Sequence, residues 1–140
     1  MLYNEFLKTI KECPFCISDN KRILENDHAF LTYSIAPYHP DHLLVIPKRH
    51  IEHILDLNKN EVDSIIELQR KSLEILNKLG HTNMCVLVKE GDKLEKSVAH
   101  THYHIIPEVV LESSDHLGVE RRVLSDNEIN ILVSRIEAVK

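Results

Sequence analysis

What the chain lacks narrows its functions before any motif is read. Its 140 residues include no tryptophan and three glycines, with no internal repeat, low-complexity tract or second-domain boundary. No apolar run is long enough to span a bilayer, and residues 1–12 lack the apolar stretch of a secretory signal. No excess of basic residues is present either. The formal net charge is −5, so no general field for a nucleic-acid polymer exists and any phosphate site must be local. Cysteine is scarce and odd in number, at three. Without an export signal this points to a reducing cytoplasm, where a Cys-x-x-Cys pair means metal or redox chemistry rather than a structural disulfide.

What is present is an ordinary globular composition, 43% hydrophobic and 28% charged. A chain of this length makes one domain, residues 1–140, that buries about 70% of its unfolded surface. Hydrophobic periodicity predicts a short amphipathic helix over residues 2–12 and a hairpin of strands over 21–26 and 28–34, turning at Asn26-Asp27. His42-Leu43-Leu44-Val45-Ile46 is a nearly all-apolar strand stopped by Pro47, which predicts a central position buried on both faces. The longest helix is predicted from Asn58 to Leu79. Asn58 and Glu61 form its capping box, Gly80 stops it, and Val62, Ile65, Ile66, Leu68, Leu73, Leu76 and Leu79 supply its buried stripe. Strands follow at 84–88, with Cys85 in the core, and at 100–106. A last helix over 126–139 is capped by Ser125 and Glu128. The eleven-residue connection between the last two strands is too short for a helical crossover, so they pair antiparallel. The expected fold class is α+β: a mainly antiparallel sheet of about five strands with helices on one face.

Chemistry concentrates in His100-Thr101-His102-Tyr103-His104-Ile105-Ile106. On a strand the three imidazoles share one face, about 7 Å apart in sequence, while Thr101, Tyr103 and Ile105 take the other. Such a row can bind metal, or it can carry phosphoryl chemistry with one ring as nucleophile. Cys13-Pro14-Phe15-Cys16 has the spacing of half a tetrahedral zinc site, and no strand precedes it as a redox motif would require. Two further ligands must come from elsewhere. His50 lies at the end of the strand that His42 begins, on a turn able to reach a neighbouring element. His28, His39, His53, His81 and His116 sit in turns or polar stretches and need no special role.

His100-x-His102-x-His104-Ile-Ile resembles the defining pattern of the histidine triad (HIT) superfamily. Pro37-x-x-Pro40-x-His42-Leu-Leu-Val-Ile-Pro47-Lys is similar to that family's second signature strand, and Ser97-Val98 to its phosphate loop. The resemblance covers residues 13–107 and leaves 108–140 as a C-terminal extension. It implies a nucleotide hydrolase or nucleotidyl transferase acting at the α-phosphate of a nucleoside phosphoramidate or dinucleoside polyphosphate. His102 would be the nucleophile, forming a nucleotidyl-imidazole. His104 and His42 would neutralise phosphate oxygens, and Ser97 would bind the phosphate or the leaving group. Carried over from zinc-bearing relatives, Cys13, Cys16, His50 and His100 would hold a structural Zn2+, closed by its four protein ligands. The family also implies a homodimer, with the long helix and its adjoining strand at the interface.

The chain departs from the family pattern at four positions. Ser34 stands where relatives carry an acidic residue for the ribose hydroxyls, and it lacks the charged, bidentate acceptance of a vicinal diol. Glu95-Lys96 replaces a Gly-Gln pair, and Lys89 replaces an asparagine. Lys96 can meet a phosphate as a point charge, whereas Glu95 repels one. Two other readings stand beside the hydrolase. In one, His100, His102 and a third histidine hold a catalytic zinc. In the other, the chain is a non-enzymatic nucleotide-binding or interaction protein on the same fold.

Overall fold

The apolar run predicted to be central becomes the middle strand of a five-stranded sheet. The computed structural model describes residues 1–17, 21–91, 96–109 and 121–140. In chain order the elements are α1 (Tyr3–Thr9), β1 (Leu24–Glu25), β2 (Ala29–Tyr33), β3 (Leu43–Pro47), a 3-10 turn (Ile54–Asp56), α2 (Lys59–Lys78), β4 (Met84–Val88), β5 (Tyr103–Pro107) and α3 (Asp126–Glu137). The strands are ordered β1-β2-β3-β5-β4 and every neighbouring pair is antiparallel. All five residues of β3 are buried, as a strand covered on both faces requires.

Alternation along the strands builds two layers of core. Ala29, Leu31, Tyr33, Leu43, Val45 and Ile105 face α2 and α3, against Ile65, Leu68, Ile75, Leu76, Leu132, Val133 and Ile136. Phe30, Leu44 and Ile46 face the other way and pack with Phe15, Val98 and Cys13. His104 pairs with Leu44 in the β3–β5 register and so belongs to this second face. Helices cover one face; the Cys-x-x-Cys segment and the histidines occupy the other.

The caps of both long helices form as predicted. Asn58 Oδ1 accepts from the Glu61 amide while the Glu61 carboxylate accepts from the Asn58 amide, and Ser125 and Glu128 repeat the arrangement. Gly80 takes the positive φ of +97° that ends α2. The buried stripe is corrected at two positions: Val62 and Ile66 are 42% and 50% exposed. Ser64 and Ser72 take the inward places instead. The buried Ser72 hydroxyl is satisfied by the Leu68 carbonyl at 2.7 Å.

Strand limits differ from expectation at three points. The 21–26 strand is ladder-paired only at Leu24–Glu25, β3 begins at Leu43 rather than His42, and β5 begins at Tyr103, so His100 and His102 precede it. The backbone before Tyr103 is committed elsewhere: the Thr101 amide donates to the Ile51 carbonyl and the His100 carbonyl accepts from the His102 ring. At the N-terminus, α1 stops at Thr9, where Ile10 turns extended. Cys85, expected in the core, is half-buried. His116 and Glu95 lie outside the described residues. Among the described residues no helix is long and apolar enough to cross a membrane.

Two ion-pair networks hold the segments that carry His42 and His50. Arg135 of α3 grips Asp41 at 2.6 and 3.3 Å, and His81 adds a 2.6 Å contact, fastening the loop that leads into His42. Arg49 spans the fully buried Glu61 carboxylate at 2.7 and 3.1 Å, tying the turn that carries His50 to the start of α2.

Candidate active site

Obligate donors and acceptors around the histidines fix which nitrogen of each ring carries a proton. The Tyr38 amide can only donate, so His42 Nδ1, 3.2 Å away, accepts. The proton of neutral His42 is then on Nε2, which donates to His104 Nδ1 at 2.9 Å. His104 in turn carries its proton on Nε2. For His102 the partner is a carbonyl: Nδ1–H donates to His100 O at 2.9 Å, which leaves the lone pair on Nε2. The result is a nucleophilic nitrogen on one ring beside a hydrogen-bond donor on the next, the ring centroids being 4.9 Å apart.

Burial keeps these rings neutral. His42 is pushed down from 6.5 to about 3 and His102 to about 4, in each case chiefly because burial penalises the cation. His104 falls further still, with the neighbouring His102 and His42 adding to burial. Phe15 packs on the His102 ring at 5.1 Å and edge-on against His100 at 5.8 Å, so the Cys-x-x-Cys loop itself shapes the surroundings of His102.

His100 turns away from the other two. Its Nε2–H donates to the Pro47 carbonyl at 2.8 Å, leaving the Nδ1 lone pair 3.5 Å from Cys13 Sγ and 3.4 Å from Cys16 Sγ. His50 Nδ1 is 3.2 Å from Cys16 Sγ, and its Nε2 lies 3.4 Å from a Glu52 carboxylate oxygen. The four ligand atoms of Cys13, Cys16, His50 and His100 all lie within 4.8 Å of one another. Two sulfurs and two ring nitrogens at such separations, each histidine with an oxygen partner on its other nitrogen, form a cluster able to hold a tetrahedral metal ion.

The HIT-domain family model matches residues 17–109. The chain belongs to the HIT-domain family. No curated protein matches it in sequence. Solved structures share the fold of this HIT protein. A Hit-like protein from Bartonella henselae, described as involved in cell-cycle regulation, is 24% identical with a TM-score of 0.73, covering 86% of this chain and 87% of that one. Diadenosine triphosphate hydrolase from Plasmodium falciparum is 19% identical with a TM-score of 0.72, over 86% of this chain and 76% of that one. A zinc-bound histidine triad family protein from Mycobacterium smegmatis is 19% identical with a TM-score of 0.65, over 94% and 96%.

The remaining predicted residues of this HIT domain surround the triad unevenly. Ser97 Oγ is 2.9 Å from the Tyr3 hydroxyl of α1. Lys96 Nζ donates to the Glu52 carbonyl at 2.7 Å, while its charge still acts on His102 and His100. Ser34 is buried at the end of β2, its amide donating to the His42 carbonyl at 3.0 Å. Sequence reasoning missed Tyr38, which sets the His42 tautomer through its amide, because a backbone donor leaves no residue-type signal. It also missed the grouping of His39, Asp41 and His81. His39 and His81 looked idle because their distance along the sequence hides their meeting, with ring centroids 5.1 Å apart.

Proposed function

We propose that this HIT protein is a nucleotide hydrolase or nucleotidyl transferase that cleaves at the α-phosphate of a nucleoside phosphoramidate or dinucleoside polyphosphate through a covalent nucleotidyl-His102. The observation that carries this reading is the His102 Nδ1–H···O=C His100 hydrogen bond, which leaves Nε2 as the nucleophile. In the first step Nε2 forms a bond to the α-phosphorus and the bond from phosphorus to the leaving group breaks, the leaving group taking the electron pair. An amine leaving group also takes up a proton from solvent. The imidazolium so formed keeps its Nδ1–H on the His100 carbonyl. In the second step water attacks phosphorus, the N–P bond breaks, a water proton is released and the nucleoside monophosphate departs.

The His42–His104 pair supports the same chemistry. His104 Nε2–H is a donor for a non-bridging phosphate oxygen, oriented by a relay that begins at the Tyr38 amide. Ser97 and Lys96 lie on the loop entering the triad and serve the phosphates, and Ser34 serves the sugar.

Cys13, Cys16, His50 and His100 would hold Zn2+. The bound ion supplies a structural cross-link, since four protein ligands leave no open position for a reacting water. That closed set favours His102 as nucleophile over the catalytic-zinc reading. The chain is proposed to act as one domain in the cytoplasm and as a homodimer. Exposed Val62 and Ile66 on α2 and Val86 on the edge strand β4 support the dimer.

The test compares wild type with His102→Asn on adenosine phosphoramidate and diadenosine triphosphate, each with and without brief chelation. The expected result is AMP release by wild type, a loss of about a thousandfold or more in the variant, and activity that survives chelation. Loss of activity on chelation in a protein that stays folded would favour a catalytic metal. Nucleotide binding without turnover would favour the non-enzymatic reading.

A further inference from the structure

Arg121 lies outside the segment that the family model matches, in the stretch of chain that pairs with the N-terminus. The Tyr3 amide donates to the Arg121 carbonyl at 2.7 Å and the Val123 amide to the Met1 carbonyl at 2.9 Å, with a β-bridge between Leu2 and Arg122. This pairing brings two rings to the Arg121 side chain. The guanidinium carbon is 4.7 Å from the centroid of Tyr3 and 4.3 Å from that of Tyr38, and Nη1 donates to the Ala36 carbonyl at 2.7 Å.

Each of those rings touches a phosphate-binding group of the proposed site. The Tyr3 hydroxyl is 2.9 Å from Ser97 Oγ. Tyr38 stacks on His42 with centroids 5.9 Å apart and planes 21° from parallel. Arg121 is thus one side chain away from Ser97 in one direction and one away from His42 in the other. Burial is the main reason His42 and His104 stay neutral, and the Arg121 charge adds to the effect at both.

We propose that Arg121 binds the anionic leaving group, and that the preferred substrate class is a dinucleoside polyphosphate. The inference rests on the nucleotidyl-transfer reading above and deepens it. Cleavage at the α-phosphate of such a substrate breaks a P–O bond and leaves the electron pair on a phosphate oxygen, which departs as an anion and needs a cation rather than a proton. Cleavage of a phosphoramidate breaks a P–N bond and releases an amine, to which a guanidinium offers nothing. A guanidinium presents five donors in a planar fork, and the Ala36 carbonyl engages one nitrogen. Contacts with the two tyrosine rings and the Ala36 carbonyl hold the guanidinium in place in advance of binding.

The test measures kcat/KM for diadenosine triphosphate and for adenosine phosphoramidate in wild type, Arg121→Met and Arg121→Lys, and reads the ratio between the two substrates. A charged hydrogen bond to the leaving group predicts that the ratio falls about ten- to a hundredfold in Arg121→Met. Part of it returns in Arg121→Lys. A fall shared equally by both substrates means that Arg121 only holds the loop at Ala36–Tyr38, and overturns the proposal. A binding arm separates this outcome from failure of the parent reading. In a His102→Asn background, Arg121→Met should weaken diadenosine triphosphate about tenfold relative to AMP. If wild type hydrolyses neither substrate while that selective weakening is seen, the hydrolase reading fails and the assignment of Arg121 stands. Equal affinities with and without Arg121 overturn the assignment, and so does a failure of the wild type to bind diadenosine triphosphate.

Discussion

His42 Nε2 donates its proton to His104 Nδ1 across 2.9 Å, and the unprotonated nitrogen of each buried ring already accepts a hydrogen bond. Both imidazoles are held well below the free value of 6.5, principally by burial. In the unfolded chain they titrate normally. Between pH 6.5 and about pH 3 the unfolded state therefore binds more protons than the folded one, and stability falls as pH falls. The contribution is fully present above 6.5 and is lost on acidification at about 1 kcal/mol per pH unit for each ring. Urea unfolding at pH 7.5, 6.5 and 5.5 should show this slope. His42→Asn should flatten it, and a slope unchanged by that substitution would mean the ring is not held neutral by the fold.

Arg49 and Glu61 differ sharply in exposure, the arginine side chain being 56% exposed and the glutamate 2%. Removing the exposed partner should therefore do more harm than neutralising the buried one. Arg49→Ala leaves a buried carboxylate with its Asn58 amide contact but no cation, the more costly of the two changes. Glu61→Gln keeps an acceptor and removes the charge, costing about 1 kcal/mol. Chemical denaturation of the two variants checks the order. Because Arg49 precedes His50, metal affinity should also drop further in Arg49→Ala.

Much of this architecture could be read from residue patterns, and the exceptions have a common cause. The capping boxes at Asn58 and Ser125 and the all-apolar strand ending at Pro47 are local signals, and they fold as read. Cys13, Cys16, His50 and His100, far apart in sequence, bring their ligand atoms within 4.8 Å of one another. The errors come from interactions that no local pattern encodes. Val62 and Ile66 follow the helical period but lie exposed, because the face of α2 turned to the sheet runs through Ser64 and Ser72 instead. His100 and His102 alternate like strand residues, yet the Thr101 amide between them bonds to Ile51 and the His100 carbonyl to the His102 ring instead of a ladder. Tyr3 and Arg121 carry no motif and meet only because the two ends of the chain pair.

Thr101 sits between His100 and His102 with its side chain fully buried and, among the described residues, no hydrogen-bond partner for Oγ1. A buried hydroxyl without a partner costs about 1–3 kcal/mol. Valine has nearly the same shape and no hydroxyl to leave unsatisfied. Thr101→Val should therefore raise stability by about 1 kcal/mol while leaving the 2.7 Å bond from the residue 101 amide to Ile51 intact. A fall in melting temperature would show that the hydroxyl is satisfied by water.

The edge strand β4 offers the last prediction. Val86 pairs with Ile105, whose side chain lies on the helix-covered face of the sheet, yet Val86 is 45% exposed. The helix layer stops short of this edge and leaves an apolar residue beside an unpaired ladder, a combination that isolated monomers usually blunt with charge. On the same side, α2 presents Val62 and Ile66 outward. If these residues meet a second copy across a two-fold axis, each substitution is felt twice, because an isologous interface repeats every contact. Val86→Lys and Ile66→Lys should each convert a dimer to monomers, seen as a halved mass in sedimentation, with a melting temperature that ceases to depend on protein concentration. A wild-type protein that sediments as a monomer at all concentrations would sink the dimer proposal, and the exposed valines would then be ordinary surface residues.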